Sequence, residues 1–284
     1  CMYLPLNSQA TVIDMLRGVI IQSGNDASKA LAEHIGGSEP AFAEIMNAEA
    51  KRLGMKNTNF MNATGLPDPA HITTARDMAI LAQAIIRDNP KYYPIYSEKE
   101  FTYNNIKQGN RNALLYTDPS VDGLTTGHTE DAGYCLVASS KRGNMRLITA
   151  VMGTNSMQER ADQTRALFSW GFSSYETIKP LTAGKVLGDA QVWFGTENHV
   201  KAGLDRDLSI TLPRGQKDKV QAVTRLMPDL EAPIAKGQKV GEVVVTLDGK
   251  TISTQPVVAM EAVEETNFVV RLWHHLKRFL SNLF

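Results

Sequence analysis

The chain has 284 residues, and 30 lysines and arginines balance 30 aspartates and glutamates, so its formal net charge is zero. Hydrophobic residues make up 43% and charged residues 21%, which is typical of a globular protein long enough for two domains. The balanced charge predicts no nucleic-acid partner, and two cysteines with six histidines in no metal-binding pattern predict no disulfide framework, metal or cofactor.

The first predicted elements are helices. Thr11 and Asp14 have the spacing of a capping box, which predicts the start of a buried helix. Ser23-Gly24-Asn25 interrupts the apolar residues that follow, and Gly54 is placed to end a later helix. Apolar residues at helical spacing predict further helices over 26–34, 40–53 and 74–87.

From Phe101 onward the apolar residues change from helical spacing to alternation. Strands are predicted over 133–140 and 145–153, and a helix is predicted over 158–170. Helices that flank a few antiparallel strands indicate an α+β domain, which we place at residues 1–176.

A small β-sandwich-like domain is predicted over residues 177–264. The helical spacing fades after Pro180, and Asp248-Gly249 is a strong signal for a two-residue hairpin turn. Short strands are predicted over 192–194, 208–212, 220–226, 240–247 and 251–258.

The last predicted element is an amphipathic helix within residues 265–284. Its apolar face carries Val269, Leu272, Trp273, Leu276, Phe279, Leu280 and Leu283. The segment is too short and too charged to span a bilayer, so we expect it to lie in the membrane interface as an anchor. The alternative is a terminal helix that packs on the β domain.

Two short motifs are candidates for chemistry. Ser23-Gly24-Asn25 lies between two helices, where a hydroxyl and an amide can project into a cleft, although the same triplet is common in plain turns. The segment Asp122-Gly123-Leu124-Thr125-Thr126-Gly127-His128 precedes the strand pair, where Gly127 would let the backbone of a ligand approach closely. Alone, this segment is interpreted as a loop that leads into a strand. Together, the two motifs are similar to the Ser-x-Asn and Lys-Thr-Gly motifs of penicillin-binding proteins and class A β-lactamases.

The likeness extends along essentially the whole chain. It is carried by Gln22-Ser23-Gly24-Asn25-Asp26-Ala27, Asn110-Arg111-Asn112, Val121-Asp122-Gly123, Leu147-Ile148, Val151-Met152-Gly153, Trp170-Gly171-Phe172, Val192-Trp193-Phe194-Gly195, Pro213-Arg214-Gly215 and Leu247-Asp248-Gly249-Lys250. With these stretches the chain resembles the low-molecular-mass penicillin-binding protein 5 and 6 group of peptidase family S11. Members of that group are periplasmic D-alanyl-D-alanine carboxypeptidases. The resemblance implies a transpeptidase-like domain, a small β domain and a membrane-anchoring helix on the outer face of the inner membrane.

The resemblance also implies acyl transfer on peptidoglycan stem peptides that end in D-Ala-D-Ala, and acylation by β-lactam antibiotics. In that scheme the Ser23 hydroxyl relays protons to the leaving amine, and the Asn25 amide holds the peptide group of the substrate. Thr125, Thr126, Gly127 and His128 would line the strand beside which the substrate lies. Arg111 and Arg160 would attract the terminal carboxylate. For each arginine, a plain surface salt bridge is the alternative.

The chain departs from the family pattern at its nucleophile. The family has a Ser-x-x-Lys motif upstream of Ser-x-Asn, and these 284 residues contain no such sequence. The nearest form, Thr182-Ala183-Gly184-Lys185, is more simply a loop of the β domain. We therefore expect the serine and its lysine to precede Cys1, with the chain truncated at its N-terminus.

The second departure is Thr125, which stands where the family has the lysine of Lys-Thr-Gly. Losing one preorganised charge in a closed site typically costs about 3 kcal/mol of transition-state stabilisation. The sequence therefore predicts a poor enzyme. Two alternatives stay open: a non-catalytic, membrane-tethered binder of stem peptides, and a decayed remnant without activity.

Overall fold

The computed structural model describes residues 1–267, which form two compact units that divide between Ser173 and Ser174. The anchor helix predicted within 265–284 falls almost wholly on residues 268–284, outside the described residues. Within residues 1–267, no helix is both long enough and apolar enough to cross a membrane.

The first unit begins with four helices whose starts are encoded locally. Its helices are α1 Val12–Gln22, α2 Asn25–Gly36, α3 Glu39–Leu53, α4 Ala75–Asp88, α5 Leu114–Thr117 and α6 Met157–Ser174, with a 3-10 helix at Tyr93–Ser97. The predicted N-cap is confirmed, because the Thr11 side chain accepts a hydrogen bond from the Asp14 N–H. Gly54 ends α3 at a positive φ of 81°, as predicted.

The strands of the first unit form a hairpin and a three-stranded antiparallel sheet. They are β1 Glu100–Tyr103, β2 Ile106–Gly109, β3 Val121–Thr129, β4 Gly133–Arg142 and β5 Met145–Thr154. The order in the sheet is β3-β4-β5. The interpretation of the Asp122 to His128 segment as a loop is wrong, because all of it lies in β3, paired with β4.

Apolar side chains cover both faces of this sheet, so β3 is held between two layers of helix. On one face α5 and α6 contribute to a buried cluster of Leu114, Leu115, Val121, Leu136, Ala138, Ala161 and Phe168. On the other face α4 and the 3-10 helix contribute to a cluster of Ala82, Tyr93, Leu124 and Val137. This packing fixes β3 while leaving its outer edge free of any strand partner within residues 1–267.

The second unit is all-β over its described residues, as predicted, apart from a 3-10 helix at Lys217–Lys219. Its strands are β6 Tyr175–Leu181, β7 Val186–Trp193, β8 His199–Gly203, β9 Leu208–Pro213, β10 Val220–Leu226, β11 Leu230–Glu231, β12 Lys239–Leu247 and β13 Lys250–Ala259. A six-stranded sheet has the order β10-β12-β13-β8-β7-β11, and β6 pairs with β9. The predicted hairpin turn joins β12 to β13, with Asp248 and Gly249 both at positive φ.

Candidate active site

The first wall of the site is the bend between α1 and α2. Ser23 occupies the left-handed region, with φ 53° and ψ 46°, and the Gly24 N–H closes the bend by donating to the Gly18 carbonyl at 3.0 Å. Few residues other than glycine adopt this conformation, and those that do are frequent at functional sites. Ser23 is half-buried and Asn25 is exposed at the first position of α2. The bend therefore fixes the backbone and leaves the Asn25 amide open to solvent.

The N-terminal residues pack against this bend and form hydrogen bonds to it. Met2 is fully buried, and a Cβ atom on Gly18 would overlap the Met2 sulfur, so any larger residue at position 18 would force the Met2 side chain to move. The Asp26 carboxylate accepts hydrogen bonds from the backbone N–H groups of Met2 and Leu4, at 2.8 and 3.0 Å. Burial works to raise the pKa of Asp26, but these N–H donors, the Ala27 N–H and the charged N-terminus together outweigh it and hold the pKa below its usual value.

The second wall is the outer edge of β3. Thr125 and Thr126 are half-buried, whereas Gly127 and His128 are exposed. No atom lies within 4 Å of the point where a Cβ of Gly127 would be, so this part of the edge faces open space. Gly123 differs, because its Cβ would lie 2.7 Å from the hydroxyl oxygen of Tyr93. Gly127 therefore leaves space beside the edge of β3, whereas Gly123 allows Tyr93 to pack closely against the strand.

Two consecutive residues, Arg111 and Asn112, form hydrogen bonds to the Ser23 bend and to β3. Arg111 Nη2 donates to the carbonyl of Gln22, the residue before Ser23, at 3.4 Å. Asn112 Nδ2 donates to the carbonyl of Gly123 at 3.1 Å. The structure thus links the Ser23 bend to the start of β3, the strand that carries Thr125 to His128, through Arg111 and its neighbour Asn112.

Arg160 lies under the same edge. It is only 5% exposed, and its Nη1 donates to the carbonyls of Gly127 and Cys135 at 3.3 and 3.4 Å. Burial lowers the pKa of Arg160, and repulsion from Arg111 lowers it further. The surface salt-bridge interpretation is wrong for Arg160, and within residues 1–267 neither arginine has a carboxylate within 4.0 Å. Two neighbouring cations without an acidic partner favour an anionic ligand.

A polar network that the sequence did not reveal fixes the start of β3. Arg146 forms two hydrogen bonds to the Asp122 carboxylate, at 2.7 and 2.8 Å, and the Tyr93 hydroxyl donates to the same carboxylate at 2.9 Å. Burial, together with the Asp122 charge, raises the pKa of Tyr93. Asp122 belongs to the candidate segment Asp122 to His128, but no local sequence pattern predicts its contacts with Arg146 and Tyr93.

Comparison with known proteins identifies the family of the chain. The sequence pattern of the family described as D-alanyl-D-alanine carboxypeptidase, peptidase S11, matches residues 1–156. The chain belongs to this family. A second pattern, the C-terminal domain of penicillin-binding protein 5, matches residues 175–265 of this carboxypeptidase-family chain. Both the resemblance and the predicted fold class are thereby confirmed.

Individual relatives are similar over most of the chain. D-alanyl-D-alanine carboxypeptidase DacA of Haemophilus influenzae is 48% identical over 286 residues, covering 100% of this chain and 73% of the relative. The crystal structure of penicillin-binding protein 5 from the same organism matches with a TM-score of 0.78 and 49% identity, covering 93% of this chain and 78% of that one. Penicillin-binding protein D2 of Listeria monocytogenes in its cefotaxime-bound form matches with a TM-score of 0.54 and 31% identity, covering 57% of this chain and 67% of that one.

Proposed function

We propose that the groove between the Ser23 bend and β3 binds stem peptides that end in D-Ala-D-Ala, the substrate class in the names of the relatives. The observation that carries the proposal is the pair of hydrogen bonds from Arg111 to Gln22 and from Asn112 to Gly123. They link the segment that ends in Ser23 to the strand that carries Thr125, through two consecutive residues. The unpaired cations of Arg111 and Arg160 beside it suit a terminal carboxylate.

The proposed roles follow from where each group lies. The substrate adds as an extended strand along Thr126, Gly127 and His128, because within residues 1–267 this edge of β3 has no strand partner and there is open space at Gly127. The exposed Asn25 amide holds the peptide group of the substrate. The Ser23 hydroxyl passes a proton to the amine that leaves when a serine nucleophile attacks the carbonyl between the two D-alanines. Water then hydrolyses the acyl-enzyme and releases the shortened peptide.

We propose that catalysis is weak in this chain because Thr125 lacks the charge of a lysine. A threonine hydroxyl supplies no positive potential, and the loss of one preorganised group lowers turnover by about 100-fold or more. The missing charge at Thr125 favours a second candidate function, a non-catalytic binder of stem peptides.

Calorimetric titration tests the proposed recognition. An N-acetylated stem peptide ending in D-Ala-D-Ala should bind, and the same peptide with a C-terminal carboxamide should bind at least about tenfold more weakly, since it lacks the charge that the arginines attract. A peptide ending in L-Ala-L-Ala serves as the stereochemical control. Equal affinity for all three peptides would refute recognition of a D-Ala-D-Ala terminus.

Labelled penicillin separates the candidate functions. We propose that the family groove also receives β-lactams, in line with the cefotaxime-bound form of the Listeria relative. In the full-length product, which would include the serine nucleophile expected upstream of Cys1, covalent labelling that rises in Thr125→Lys indicates an enzyme with a damaged site. Peptide binding without covalent labelling in either protein indicates the binder, and neither signal indicates the remnant.

We also propose that the protein works in the periplasm, held on the outer face of the inner membrane by residues 267–284. The support is the sequence pattern alone, with seven large apolar residues on one helical face. Deleting residues 267–284 should move the protein from the membrane fraction to the soluble fraction. An unchanged distribution would contradict the anchor and favour a helix that packs on the β domain.

A further inference from the structure

We infer that the asparagine pair, Asn110 and Asn112, consists of positioning residues that set the spacing between Arg111 and the β3 edge. Neither residue touches the groove as a recognition group; both act on groups that do. The inference rests on the proposed function for its consequence in ligand binding, whereas its structural part concerns β3 alone. The pair flanks Arg111, whose side chain is exposed, with one buried amide on each side.

Asn112 is fully buried, and both ends of its amide are used. Its Nδ2 donates to the Gly123 carbonyl at 3.1 Å, and its Oδ1 accepts from the Leu114 N–H at 3.1 Å. The orientation of the amide is therefore fixed, because a flipped amide would face an acceptor with an oxygen and a donor with an NH2 group. Asn112 thus ties β3 to the start of α5 through a contact that an apolar side chain cannot make.

The bond reaches β3 at an irregular point. The pairing between β3 and β4 shifts register between Val121 and Gly123, just before Leu124 and Thr125. Bulges bend a strand and re-aim the side chains that follow, so the strand needs an additional constraint at this position. Asn112 supplies it at the Gly123 carbonyl, two residues before the edge that lines the groove.

Asn110 holds the other side of Arg111. It is 7% exposed, its N–H donates to the Lys99 carbonyl at 2.7 Å, and its Nδ2 donates to the Glu98 carbonyl at 3.0 Å. Its Oδ1 accepts from the Asn112 N–H at 3.0 Å, which couples the two asparagines directly. The backbone on both sides of Arg111 is therefore anchored before any ligand arrives, so less ordering entropy is lost on binding.

The test replaces Asn112 with its isostere that cannot donate. Asn112→Asp leaves the volume unchanged but puts a carboxylate opposite the Gly123 carbonyl. The matched control is Asn47→Asp on α3, because Asn47 makes the same kind of contacts, donating to the Phe60 carbonyl at 2.8 Å and accepting from the Phe60 N–H at 2.7 Å. Both variants should melt at a lower temperature than the wild type, since each loses an amide donor to a backbone carbonyl.

Two measurements distinguish positioning from plain destabilisation. Hydrogen exchange of residues 121–129 should accelerate in Asn112→Asp and stay at the wild-type rate in Asn47→Asp. Affinity for the acetylated D-Ala-D-Ala peptide should fall at least about tenfold in Asn112→Asp alone. Equal effects of the two variants on both measurements would overturn the inference.

The outcomes also separate this inference from the proposed function. If the wild type binds no D-Ala-D-Ala peptide, the proposed function fails, and the exchange contrast at β3 still decides whether Asn112 positions that strand. If Asn112→Asp does not fold, Asn112→Ser and Asn47→Ser provide the same contrast without a buried charge. An exchange rate at residues 121–129 that Asn112→Ser leaves unchanged would contradict the role.

Discussion

The two units of the chain differ in what they bury. Seventeen buried residues of the second unit form one apolar cluster, in which Leu208, Ile234 and Val243 are each at most 2% exposed. Among residues 1–267, the buried polar and charged residues other than Gln255 all lie in the first unit. They are Gln22, Asp77, Asn110, Asn112, Ser139, Ser140, Thr149, Thr154, Arg160 and Thr164.

The two kinds of interior have different roles: apolar burial stabilises a fold, whereas buried polar groups position particular side chains. Apolar contacts are non-directional, so the core of the second unit stabilises its fold without specifying the orientation of any one group. Buried polar groups need partners in defined directions, and each unpaired one costs about 1–3 kcal/mol. Asn112 and Arg160 have such partners, and Gln22 donates to the Phe101 carbonyl, whereas the Gln22 Oε1 has no hydrogen-bond partner within residues 1–267. The first unit therefore uses its interior to hold a site in place.

The largest expected effect lies in the second unit. Leu208→Ala removes a side chain that is 2% exposed in the apolar cluster and should lower the free energy of unfolding of this unit by about 3 kcal/mol. Val223→Ala, at a side chain 51% exposed on β10, is the control and should cost well under about 1 kcal/mol. Urea unfolding followed by hydrogen exchange of β12 and β13 measures both. Similar losses would show that the cluster does not carry the stability of the unit.

The polar interior of the first unit should respond next. Asp122→Ala leaves Arg146, whose side chain is 25% exposed, without its carboxylate partner. The free energy of unfolding should fall by about 2 kcal/mol, which is less than the loss expected for a fully buried ion pair. Asp162→Ala breaks the exposed pair with Arg165 and should cost less than about 1 kcal/mol. Urea denaturation of both variants compares them. If the two losses were equal, the network at the start of β3 would have no special role.

The smallest expected effect concerns pH. The folded-state pKa of Asp26 is lowered from its ordinary value of 3.8, so this carboxylate stabilises the first unit above that pH. The contribution disappears as the pH falls through the folded-state pKa, where the protonated carboxyl no longer favours the Met2 and Leu4 N–H groups. Asp26→Asn should therefore be less stable than the wild type at neutral pH, and the gap in melting temperature should close in acid. A gap that stays constant down to low pH would exclude this linkage.

Sequence reasoning succeeded where the signal was local. Thr11 and Gly54 mark helix ends, and Asp248-Gly249 marks a hairpin, because each feature depends on a few neighbouring residues. The β1–β2 hairpin was missed, although Asn104 and Asn105 both adopt the positive φ of its turn. Its strands have four residues each, too few for a clear alternation.

The construction of the site could be predicted only in part. Ser23, Thr125 and Arg111 were found through the resemblance, and the roles of all the predicted site residues stay predictions. The bonds from Asn112 to Gly123 and from Arg160 to Gly127 join residues that are 11 and 33 positions apart in the sequence. Neither the spacing of apolar residues nor a helix-capping pattern predicts hydrogen bonds between residues so far apart, so only the folded structure reveals them.

The central claim is that the groove between the Ser23 bend and β3 binds a terminal carboxylate through Arg111. A double-mutant cycle tests it directly, with wild type and Arg111→Gln each titrated with the D-Ala-D-Ala peptide and its carboxamide. Since a hydrogen bond between charged groups contributes about 1.5–3 kcal/mol, the coupling between guanidinium and carboxylate should reach at least about 1.5 kcal/mol. A coupling indistinguishable from zero, with the peptide still bound, would contradict the account.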